Sequence, residues 1–201
     1  MKFLNFKIFI IKLSFISFFF VLSVIIKKKK RIGIISLRHE INIGNNLLKY
    51  AIFVKLKELG YTPYIIATYF NNYNISFINR TTNIIIIKKN FTEIKENDYD
   101  ILMVNSDQTW RKYDKHFYDY AFLKFAKNWK KTKFIYGASF DQWKLTSEDE
   151  KIAKNLLKDF KGISIREQGY VDLIKKHLGI IPDVVLDPTL IIFQFLKYYL
   201  S

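Results

Sequence analysis

The sequence predicts an α/β fold, a Rossmann-like parallel sheet sandwiched by helices. Three observations carry that expectation. Short, continuous apolar runs such as Ile84 to Ile87 and Ile101 to Val104 lack the alternation of half-exposed strands and suit strands buried on both faces. Longer segments with a 3.6-residue apolar period separate them. Small polar clusters follow several strand ends abruptly, and the carboxyl edge of an open parallel sheet is where ligands sit.

Taken in order, Ile32 to Leu37 reads as the first strand. Asn45 to Leu59 reads as a helix with Leu48, Ile52, Leu56 and Leu59 on one face and Gly60 just past its end. Tyr64 to Ala67 and the four isoleucines 84–87 give two further strands, Ile101 to Val104 and Phe134 to Ala138 two more. Ser147 and Glu150 form a capping box ahead of Ile152, Ala153, Leu156, Leu157 and Phe160 on one helical stripe. Gly162 to Ile165 is a short strand, and Gln168 to Leu178 a helix with Val171, Ile174 and Leu178 inward and Gly179 beyond it. Val184 to Leu186 is the last strand, closed by Asp187-Pro188 because a residue before proline is pushed to an extended conformation. Stretches 68–83 and 105–120 read as loops or small excursions, and there is no internal repeat.

Composition excludes several chemistries. The chain has 201 residues, 50% hydrophobic and 25% charged, which is a globular balance. No cysteine is present, so disulfides, thiolate catalysis and Cys-based zinc sites are excluded, and three histidines (His39, His116, His177) do not suggest a metal cluster. No metal and no resident cofactor are expected. The formal charge is +15, which invites a nucleic-acid reading. Residues 1–31 hold eight of the basic residues and no acid, leaving 25 basic against 18 acidic residues over 32–201. That remainder is spread through an Ile-, Lys- and Asn-rich chain without a recognised binding module, so no nucleic-acid partner is expected.

The front end has its own signature. From Ile8 to Ile26 every residue is apolar or Ser except Lys12. Those 19 residues would span about 28 Å as a helix, close to the roughly 30 Å hydrocarbon core of a bilayer. The run Lys27 to Arg31 outweighs Lys2 and Lys7, so the positive-inside rule keeps the downstream domain cytoplasmic. The expectation is therefore an apolar N-terminal helix with a basic flank over 1–31, a membrane anchor at 8–26, a domain over 32–190 and a short tail over 191–201. A packed or interfacial helix is the alternative for 8–26.

Three polar clusters mark the predicted carboxyl edge. They are Asn42-Ile43-Gly44-Asn45, Asn105 to Trp110 ("NSDQTW"), and Ser164-Ile165-Arg166-Glu167 ("SIRE"). With "YGASF" (Tyr136 to Phe140) and "VVLDPTLI" (Val184 to Ile191), they resemble in order the motifs of the polysaccharide pyruvyl transferase family. The resemblance implies one half of a GT-B-like architecture, in which a cleft between two Rossmann-like domains moves the enolpyruvyl group of phosphoenolpyruvate onto a sugar and releases phosphate. It fades near Leu190, so the chain reads as the amino-terminal half of such an enzyme, inactive without a second domain that a second polypeptide could supply. A GT-B-type glycosyltransferase half-domain and a non-catalytic, membrane-tethered remnant are the alternatives.

The chemistry asks for groups that hold a phosphate and a carboxylate, an acid for the methylene carbon and a base for the sugar hydroxyls. Arg166, between a strand and a helix start, is the candidate anion clamp; the bland alternative is an ion pair with a nearby carboxylate. Asn42, Gly44 and Asn45 form a helix-start turn in which Gly44 permits close approach and Asn45 can cap. Ser106 and Asp107 stand at a strand end, and Trp110 is either a wall for a sugar ring or a packing residue beneath the loop. Asn105 stands where the family commonly has Gly, and its tolerance of positive φ would preserve the turn. His39 and Glu40 could form an acid/base pair but lie outside the matched motifs, and no catalytic residue is assigned.

Overall fold

The computed structural model describes residues 30–36, 43–67, 86–105, 109–112, 115–139 and 143–190. Ile8 to Ile26, the tail 191–201, and Asn42, Ser106, Asp107, His39 and Glu40 lie outside them. No helix among the described residues is long and apolar enough to cross a membrane.

The centre is a seven-stranded sheet in which every pairing is parallel. Its strands are β1 (Arg31–Ser36), β2 (Thr62–Ala67), β3 (Ile86–Lys88), β4 (Ile101–Val104), β5 (Thr132–Ala138), β6 (Phe160–Ile165) and β7 (Asp183–Val184), in spatial order β3-β2-β1-β4-β5-β6-β7. The order runs outward in both directions from the β1–β4 pair, the topological switch point of a doubly wound sheet. Side chains alternate between two cores. Ile32, Ile34, Ile101, Met103, Phe134 and Tyr136 pack with Ile52, Phe53 and Leu56 of helix α1 (Ile43–Glu58). Ile35, Leu102, Val104, Ile135 and Ile165 pack with helices α2 (Phe117–Phe122), α3 (Ser147–Leu157) and α4 (Val171–Leu178) on the other face. One glycine is required by crowding: a Cβ on Gly33 would lie 2.8 Å from the Tyr99 ring and 2.9 Å from Ile66 Cδ1.

Several expectations shift by a turn or less. Helix α1 starts at Ile43 rather than Asn45, so Asn45 is its third residue and does not cap it. The capping box of α3 is Thr146 with Asp149, one residue ahead of Ser147 and Glu150: Thr146 Oγ1 accepts from the Asp149 N–H at 3.2 Å, and the Asp149 carboxylate accepts from the Thr146 N–H at 2.9 Å. The helix stops at Leu157, and Phe160 opens β6 instead of closing the helical stripe. Gln168 to Tyr170 is a 3-10 turn leading into α4, and β7 ends at Val184. Ile86 and Ile87 are half-buried, not enclosed on both faces, because β3 is the edge strand. Helix α2 begins inside the stretch expected to be irregular and runs past its end; its six residues bury Phe117, Tyr120, Ala121 and Phe122.

Candidate functional site

The carboxyl ends of β4, β5 and β6 and the turn after β7 form one connected corner, and its starting point is a defect in β5. The β5–β6 register slips between Ile135 and Ala138, and Gly137 adopts φ +61°, a left-handed conformation that favours glycine. The hydroxyl of Ser164 fills the gap in the ladder: it accepts from the Gly137 N–H at 3.0 Å and donates to Ile135 O at 3.3 Å. Bulges of this kind re-aim side chains at sheet rims. Here the bulge makes a bed for Arg166, since a Cβ on Gly137 would lie 3.6 Å from Arg166 Cγ and 3.9 Å from Pro188 Cδ.

Arg166 is the first residue past β6. Its N–H donates to Ala138 O at 3.1 Å, so that group is not turned toward an anion at a helix start. Its Nη1 donates to Asp187 Oδ2. The other oxygen of Asp187 accepts from the Thr189 N–H at 2.9 Å and from Thr189 Oγ1 at 2.6 Å. Both side chains are largely shielded, Arg166 17% and Asp187 27% exposed. Burial pushes the Asp187 carboxyl up, but the Thr189 and Arg166 hydrogen bonds outweigh it and hold the group below the usual carboxylate range. The ion pair that is the bland alternative for Arg166 is therefore present, with Asp187 as a partner. Asp187 does more than close a strand.

A second strut ties the corner to the switch point. Asn105, just past β4, donates its N–H to Ile35 O at 3.1 Å and its side-chain Nδ2 to Tyr136 O, the carbonyl beside the bulge, at 3.0 Å. Asn105 is not among the residues with positive φ, so its value lies in this bridge and not in turn tolerance. Tyr136 is fully buried, and burial first, then the Asp187 charge, pushes its hydroxyl well above the ordinary phenol value.

The remaining candidates divide. Gly44 and Asn45 sit in the first turn of α1, whose N-terminus faces the same edge as the β1 and β4 ends. Asn42, Ser106 and Asp107 fall outside the described residues. Trp110 is 1% exposed and packs on Phe122 with ring centroids 5.7 Å apart, so it supports the loop from below and presents no face to a sugar. His177 and His116 are half-buried and partnered: His177 Nδ1 lies 2.7 Å from Glu150 Oε1, and His116 Nδ1 3.7 Å from Asp119 Oδ2. Among the described residues no group of three His, Asp or Glu is arranged to hold a metal ion.

Sequence reasoning misses the Asp187–Thr189 clasp and the Asn105 strut. The Asp-Pro-Thr signal is present, but locally it reads only as a strand end. A comparison with the curated proteins finds no matching relative. The family model described as polysaccharide pyruvyl transferase matches residues 42–200, which carries the match ten residues past Leu190 and encloses every part of the corner. Matched over most of its length, the chain belongs to the polysaccharide pyruvyl transferase family.

Proposed function

We propose that the chain provides the donor-gripping half of a pyruvyl transferase, with Arg166 holding the phosphate or carboxylate of phosphoenolpyruvate. The observation that carries this reading is the clasp. A guanidinium bedded on Gly137 and steered by an anchored carboxylate is pre-oriented, and a pre-oriented planar fork suits bidentate recognition of an anion. In the transfer, two hydroxyls of a cell-surface polysaccharide sugar add to C2 of the enolpyruvyl unit, its methylene carbon takes a proton to become methyl, and phosphate leaves. Electrostatic stabilisation of the departing phosphate is the task that falls to Arg166.

The described residues form one sheet and one wall. The reading therefore includes a second α/β wall that closes the cleft and brings the acid and base, and a second polypeptide is one source of it. It puts the domain on the cytoplasmic face of the membrane, tethered through residues 8–26.

Calorimetric titration of the full chain with phosphoenolpyruvate tests the reading. Saturable binding that Arg166→Ala removes supports it. Binding of a nucleotide sugar such as UDP-glucose without binding of phosphoenolpyruvate would favour a glycosyltransferase half-domain instead.

A further inference from the structure

We propose that Oδ1 of Asn105 is the atom with which the protein recognises a hydroxyl of its sugar acceptor, at the switch point between β1 and β4. The identity of the ligand rests on the pyruvyl-transfer reading; its place rests on geometry alone. Asn105 is 1% exposed, and its position is fixed from both sides, by Ile35 O on β1 and by Tyr136 O at the β5 bulge. Those two bonds use its backbone N–H and one N–H of its side-chain amide. Oδ1 is also buried, and it has no hydrogen-bond partner among the described residues.

Native proteins seldom leave a buried acceptor unpaired, and such an atom calls for a specific donor. An amide oxygen accepts from O–H or N–H and repels anions, so the enolpyruvyl donor does not belong at this atom. A neutral, polyhydroxylated ligand does. The spacing agrees: β4 and β6 are two strands apart in the sheet, about 10 Å at roughly 4.8 Å per strand, so a hydroxyl held at Asn105 and a three-carbon donor held at Arg166 can lie side by side. Asn105 is thus a specificity-determining residue of this chain.

The test is a titration of the 15N-labelled full chain, kept in detergent, with methyl β-D-glucopyranoside, methyl β-D-galactopyranoside and methyl α-D-mannopyranoside, followed by the singly deoxy forms of whichever binds. The expected result is that the Asn105 side-chain amide resonances move with the parent glycoside. One deoxy form should bind roughly 5- to 150-fold more weakly, the range for stranding a buried acceptor. In Asn105→Gly that deoxy form and the parent should bind alike. If the glycine variant does not fold, the wild-type amide shifts and deoxy series decide by themselves. Glycosides that leave the Asn105 amide unmoved, as when an internal water occupies Oδ1, overturn the proposal. Phosphoenolpyruvate is titrated in parallel. Its binding without any Asn105 response to glycosides removes this proposal and leaves the transfer reading standing; its failure to bind removes the transfer reading, while the glycoside series still decides the role of Asn105.

Discussion

Asp187 binds Arg166 with one carboxylate oxygen while Thr189 ties down the other, and the pair joins residues 21 positions apart. The arginine thus has a structural role beside the recognition role proposed for it. Arg166→Ala should cost about 1.5–3 kcal/mol of stability, because it strands a half-buried carboxylate that loses a charge-assisted bond. Arg166→Lys should recover part of that stability but bind phosphoenolpyruvate roughly 10-fold more weakly, since a point charge does not reproduce the planar fork. Urea denaturation and calorimetry on both variants check this. Unchanged phosphoenolpyruvate affinity in Arg166→Lys would argue against bidentate recognition.

Acid should unfold the domain through carboxyls held low in the folded state: Asp98, which its bond to Lys89 lowers, and two more. Asp187 is one. Asp149 is the other: burial raises it, but Lys112 Nζ at 2.7 Å, the Tyr118 hydroxyl and Thr146 more than compensate, so its carboxyl also lies below the ordinary range. Groups with depressed folded pKa contribute stability that is complete above their unfolded value of about 3.9 and is lost as pH falls through the folded value. Urea midpoints should therefore be flat from about pH 5 to 8 and fall below about pH 4. Asp149→Asn should lower the midpoint at pH 7 and shallow the acid limb. An acid limb identical to wild type would refute the assignment.

Alkali should act through buried phenols. Burial raises Tyr61, Tyr99 and Tyr118 to about 12. Raised folded values give stability that is full below the unfolded value of about 10 and drains as pH rises through 12. Absorbance at 295 nm should show these tyrosines ionising only with, or after, loss of tertiary circular dichroism.

Gly33→Ala should destabilise by about 1–3 kcal/mol through overpacking, as the added methyl meets a Tyr99 ring that is itself 3% exposed. The double variant with Tyr99→Leu should recover part of the loss. A wild-type denaturation midpoint in Gly33→Ala would mean that the Tyr99 ring yields to a methyl group at no cost.

Trp110→Ala should cost about 3–5 kcal/mol, the range for deleting a buried aromatic from a core. Trp110→Phe should bind glycosides as wild type does. A glycoside affinity that collapses in Trp110→Phe, with stability intact, would return Trp110 to the sugar site.

At the front end, the proposal of an anchor at 8–26 predicts that the full chain stays with membranes after a 1 M salt wash, whereas a version starting at Arg31 does not. Salt releases a polybasic contact but not a spanning helix. Full-length protein recovered in the salt supernatant would contradict the anchor.

The strands are legible because runs such as Ile101 to Val104 are too short for helices and too apolar for exposed strands. The cap of α3 is misplaced by one residue because Thr146–Asp149 and Ser147–Glu150 satisfy the same local pattern; the choice between them is made by what Asp149 meets, Lys112 and Tyr118. Helix α2 escapes detection because six residues give barely one and a half turns of periodicity, and His116 before it makes no side-chain cap. At the site, the local cue around Arg166 is readable, but its partner is not: Asp187 reaches it through β7, and separation in sequence carries no trace of that meeting. Asn105 reads in sequence as a backbone device, while the structure uses its amide.

The position of Asp187 in the chain also sets an order of assembly. A polypeptide leaving the ribosome can pair β1 through β6 before the turn after β7 has emerged. Arg166 acquires its carboxylate only 21 residues later, roughly 1–4 s at ordinary rates of elongation. During that interval the nascent sheet carries the Arg166 guanidinium without its Asp187 carboxylate. A message stopping between the two residues would leave that state permanent, so control of this cation depends on the timing of synthesis as well as on the finished geometry.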